Sequence, residues 1–196
     1  MPLLTAEDLR PHSRLAWACL VALLGVAAWL AVLERTDAAI GTLGALVGCL
    51  ALVLPPRERM GALPWRLRSL PRRCDAAPIL ATLTSCPGYG LGWFYGDNLY
   101  DEAVHLLNGT LAGAVLAALL LADARPRTGR EMAWAALGGG MVLAVGWEVF
   151  EWATGLIGDA VDTVTDILLT AGGVVAGAAF TASRQSGQLP GRMAGR

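Results

Sequence analysis

Residues 101–122 read DEAVHLLNGTLAGAVLAALLLA. After Asp101 and Glu102, the segment Ala103–Ala122 is apolar apart from a few small polar groups, and His105 is its one ionisable residue. About 20 residues are what a helix needs to cross a hydrocarbon core roughly 30 Å thick. Backbone in that layer has no water to bond, so the segment is expected to be helical. It also carries a polar stripe: Asp101, His105 and Asn108 fall at i, i+4 and i+7, on one narrow helix face.

Five further runs of the same kind flank it: Leu15–Leu33, Ala38–Leu54, Ala76–Gly96, Met132–Ala153 and Val164–Ala182. The expected fold is therefore all-α, a polytopic membrane protein with a six-transmembrane-helix bundle. The whole chain of 196 residues agrees, being 55% hydrophobic and only 16% charged. So much apolar surface excludes a disordered chain. A net charge of −1 argues against a nucleic-acid partner, which would require a basic surface. All fifteen basic residues are Arg, and with the abundant Gly and Ala this points to a GC-rich bacterial genome.

Those arginines set the expected orientation. Arg10, Arg14, the six of residues 55–75, Arg125, Arg127, Arg130, Arg184, Arg192 and Arg196 alternate along the chain with loops that hold only Arg35. By the positive-inside rule, both termini face the cytoplasm of a bacterial inner membrane. The near-neutral total then conceals a polarised molecule: cytoplasmic segments sum to +8 and outer ones to −9.

The first run is longer than the hydrophobic part of a signal peptide and is expected to stay as an anchor. A short surface helix capped by Thr5 is expected before it. The domain reading is residues 1–54 for that helix and two spans, 55–75 for an Arg-rich cytoplasmic linker, 76–183 for a four-helix core and 184–196 for a tail. Pro87 followed by Gly88, Gly90 and Gly92 predicts a kinked or broken third span. The cysteines Cys19, Cys49, Cys74 and Cys86 form no C-x-x-C pair and are expected to be buried thiols. The pairs Gly44/Gly48, Gly109/Gly113 and Gly173/Gly177 allow close helix approach and are expected mainly to pack the chain on itself, with a homo-oligomer as the second reading.

Ionisable groups within a span need a reason. Here they gather on the outer side: Asp97, Asp101, Glu102 and His105 open one span, Glu148 and Glu151 close the next, and Asp159, Asp162 and Asp166 open the last. Asp162, Asp166 and Thr170 repeat the i, i+4 spacing. Clustered carboxylates repel one another, and a divalent cation relieves that cost. One His among carboxylates suits Mg²⁺, Mn²⁺, Ca²⁺ or Zn²⁺. The candidate ligands are Asp101, His105, Glu148, Glu151, Asp162 and Asp166. His105, Glu148 and Glu151 are the candidate catalytic groups, and Asp97, Tyr100, Asn108, Trp152, Thr163 and Thr170 the supporting ones. Capping alone would also account for Asp101, Glu102 and Asp162.

Three blocks resemble a known family. Asp97-Asn98-Leu99-Tyr100-Asp101-Glu102-Ala103-Val104-His105, Glu148-Val149-Phe150-Glu151-Trp152 and Asp162-Thr163-Val164-Thr165-Asp166 are similar, in order and spacing, to segments of YjdF-like bacterial inner-membrane proteins. Their H…E…D order more distantly resembles VanZ-like proteins, with Thr170 where those carry Asn. The resemblance implies a membrane fold with these blocks as its site, and no settled activity. Three functions are open at this stage: a cation-dependent site acting on or binding a membrane lipid or cell-envelope substrate, a small proton- or cation-coupled transporter, and a non-catalytic scaffold.

Overall fold

The computed structural model describes residues 13–95, 98–156 and 159–186, and is helical with no strand among them. The helices are α1 (Arg14–Val32), α2 (Thr36–Val53), the one-turn α3 (Trp65–Arg68), α4 (Ala76–Leu91), α5 (Tyr100–Leu121), α6 (Gly129–Thr154) and α7 (Ala160–Ser186). Five are long and apolar enough to cross a membrane: α1, α2, α5, α6 and α7. The surface helix expected around Thr5, the site residue Asp97 and most of the tail lie outside the described residues.

The third expected span differs from the other five. Helix α4 has 16 residues, about 24 Å at 1.5 Å per residue, short of the roughly 30 Å core. It runs through Pro87 without breaking and stops at Gly92, whose φ of 73° is left-handed and whose N–H caps the carbonyl of Gly88. The glycine ends the helix, and the proline does not.

The chain divides into two compact units, residues 1–104 and 105–196. In the first, α1, α2 and α4 bury Cys19, Leu20, Leu23, Cys49, Val53 and Ile79 together. Ser13 caps α1 by accepting the Ala16 N–H at 3.1 Å. Residues 57–75 fold into short turns around Asp75, whose side chain is 2% exposed and is gripped by Arg57 and Arg72. Of the four thiols, Cys19 and Cys49 are buried, Cys74 and Cys86 are half-buried, and none is in a disulfide.

In the second unit, α5, α6 and α7 pack on small residues. A side chain on Gly109 or Gly113 would overlap the backbone of Thr170 or Val174 on α7. One on Gly173 or Gly177 would overlap Leu106 or Thr110 on α5. The two glycine pairs thus face each other and let the helix backbones touch. Gly44 and Gly48 do not share this role: a side chain added at either would meet nothing within 4 Å among the described residues. Met132, Ala136, Ala117, Val174 and Ala178 form the core below. A capping box at Thr128 and Glu131 starts α6, and Gly155, with φ 73°, ends it.

Candidate metal centre on helices α5, α6 and α7

The site follows from the α5–α7 contact. Where Gly109 and Gly173 bring the backbones together, His105 lies one turn before Gly109, and Thr170 and Asp166 lie one and two turns before Gly173. The imidazole Nδ1 is 3.0 Å from Thr170 Oγ1. Its Nε2 is 3.7 Å from Asp166 Oδ2. The three residues are almost closed to solvent, at 7% for His105, 3% for Asp166 and 6% for Thr170. Helix α6 brings the remaining groups: Glu148 and Glu151, at i and i+3, are both buried and point to the same side. One donor atom each of His105, Glu148 and Glu151 lies within 4.8 Å of the others.

Such a cluster is costly. Two ionised carboxylates with oxygens no more than 4.8 Å apart repel by at least about 3.5 kcal/mol at an effective dielectric of about 20. Thr163 on α7 is in hydrogen-bonding reach of the Glu148 carboxylate. Even so, Glu148 Oε2 is buried and has no hydrogen-bond partner among the described residues. A buried acceptor left unmet costs about 1–3 kcal/mol, more when charged. Donor atoms at this spacing suit an ion whose ligand bonds are about 2.0–2.6 Å long.

The other site residues named from sequence take different places. Asp162 is half-buried on α7, one turn before Asp166. Asp101 is half-buried one turn before His105 on α5, and belongs to the first unit. Asn108 is half-buried one turn beyond His105. Trp152 is 71% exposed and turns away from the cluster, as an interfacial aromatic would. Tyr100 packs edge-on against Trp93 and Phe94, and its hydroxyl donates to the Thr84 carbonyl. It braces the end of α4, beside a Gly88 that has no room for a side chain.

Two structural roles escaped the sequence reading. Asn98 Oδ1 accepts the Tyr100 N–H at 2.8 Å and starts α5. Asp159 caps α7, with its Oδ1 accepting the N–H groups of Val161 and Asp162 at 2.8 and 3.0 Å. These two backbone donors hold the Asp159 carboxyl below its ordinary range. An Asp or Asn at the start of a helix was the available signal, obscured by the more numerous acids that follow.

Neither the curated proteins nor the solved structures include one that matches this chain. A family model does, over residues 12–186, covering every helix described above; it is that of the predicted membrane proteins DUF2238. The chain belongs to that family.

Proposed function

We propose that the second unit is a membrane-embedded divalent-cation site, with His105, Glu148 and Glu151 as ligands. Thr170 orients the imidazole through Nδ1, and Asp166, 3.7 Å from Nε2, is the adjoining carboxylate. The observation that carries this reading is the triad of buried donors within 4.8 Å, one of which keeps a buried, unpartnered carboxylate oxygen. With Nδ1–H donated to Thr170, Nε2 is the nitrogen left for an ion, which is how a ligating His is normally fixed by its other ring nitrogen. A bound cation would supply Lewis-acid polarisation of a phosphate or ester. A membrane lipid or cell-envelope precursor is the substrate class that such a site, set among spanning helices, would meet. The similarity of the three blocks to YjdF-like proteins supports treating them as one site.

The site is proposed to open to the non-cytoplasmic side, with both termini in the cytoplasm of a bacterial inner membrane. This requires an even number of spans. Helix α4 with the turn Trp93–Tyr95 is proposed as the sixth, giving a segment of about 20 residues, the usual span length.

The test is metal binding by the purified full-length protein. Calorimetric titration with Mn²⁺ or Zn²⁺ is expected to give one site of micromolar affinity or tighter, and EDTA to lower the melting temperature. Glu148→Gln should weaken binding at least tenfold while the protein stays folded. No binding at micromolar ion, with melting unchanged by EDTA, would overturn the proposal.

A further inference from the structure

Residues 55–75, expected as an Arg-rich cytoplasmic linker, fold into a bonded platform. Arg57 donates to Asp75 and, through Nη2, to the Leu70 carbonyl at 2.7 Å. Arg72 donates to Glu58 Oε2 at 2.6 Å and to the Val53 carbonyl, the last residue of α2, at 3.2 Å. The platform is thus tied to the end of α2, one of the helices long and apolar enough to span a membrane.

Two features remain unexplained by that internal bonding. Residues 55–75 carry six arginines against two acids, Glu58 and Asp75. In addition, the Nε atoms of Arg57, Arg68 and Arg72 are buried and have no hydrogen-bond partner among the described residues. Beside them Met60, Trp65 and Leu67 are exposed at 40%, 48% and 38%. A net-positive arginine surface, next to an exposed Trp and two exposed aliphatic side chains, matches the chemistry of a phosphodiester headgroup with its acyl chains alongside.

We propose that this platform binds the headgroup of an anionic membrane lipid, with the exposed Arg73 and the half-buried Arg68, neither of which ties the platform together, gripping the phosphate. Arg57 and Arg72 hold the platform together. A topology signal needs charge only, and Lys would serve as well as Arg. A headgroup site needs the planar fork of Arg, which Lys lacks. The two roles are therefore separable by experiment.

The probe is short-chain phosphatidylglycerol, titrated into the full-length protein in neutral detergent. Short-chain phosphatidylcholine and inorganic phosphate serve as controls. The wild type is expected to bind phosphatidylglycerol at least tenfold more tightly than either control. The variant R68K/R73K keeps every charge. It should melt as the wild type does in phosphatidylcholine but bind phosphatidylglycerol at least fivefold more weakly, and R68Q/R73Q more weakly still. Equal binding of phosphatidylcholine, equal binding of inorganic phosphate, or wild-type affinity in the Lys variant would each overturn the proposal.

Discussion

Glu148 is a costly residue to bury. Its carboxylate is buried beside Glu151, and one oxygen accepts no hydrogen bond among the described residues. Thr170 matters through a single contact, the hydroxyl at 3.0 Å from His105 Nδ1. Thr170→Val keeps the shape and removes that partner. It should weaken cation affinity about 10- to 100-fold, the usual effect of losing the group that orients a ligating His, and Thr170→Ser should restore most of it. Titration of both variants with Mn²⁺ checks this. Asp159 gives a prediction in pH. Its carboxyl is held below the ordinary range by two backbone donors, so its stabilising effect is complete above the unfolded-state value and fades as pH falls through the lower folded one. The melting-temperature gap between wild type and Asp159→Ala should therefore be constant near neutrality and close in acid. A gap that did not narrow at all in acid would contradict the capping role.

At the scale of elements, the close contact of α5 with α7 decides whether a site exists. Gly173→Val would push a side chain into the backbone at Leu106 and Thr110. Overpacking of this kind costs about 1–3 kcal/mol or more. It should also part His105 from Asp166 and abolish cation binding. Gly48→Val, with open space around it, should leave both stability and binding near wild type; melting curves and metal titration on the two variants distinguish them. Helix existence was legible in the sequence, because apolar runs and end signals are local. Partner choice was less so. All three glycine pairs have the same spacing, yet only Gly109/Gly113 and Gly173/Gly177 face another helix. The i, i+4 stripes put His105 on one face of α5 and Asp162, Asp166 and Thr170 on one face of α7, since spacing along one helix fixes a common face, but which face meets which helix is not written in that spacing. Tyr100, named among the supporting groups, packs its ring against Trp93 and Phe94. No periodicity within α5 encodes a contact made with the end of α4.

For the whole molecule, the separation of charge along the chain sets the proposed orientation. Reporter fusions after Arg73, Arg127 and Arg184 should report the cytoplasm, and fusions after Glu34 and Asp159 the opposite side. Cytoplasmic signal after Asp159 would put the acidic cluster on the wrong face for an envelope substrate. The short α4 is where this is most exposed to failure, because five spans would place the two termini on opposite sides. The central claim is narrower and independent of orientation: the second unit holds a cation between α5 and α6. The most direct measurement is an anomalous difference map from crystals grown with Mn²⁺ or Zn²⁺. The account predicts a peak at ligand-bond distance from His105, Glu148 and Glu151. A map with no peak among those three side chains, at saturating ion, would contradict it.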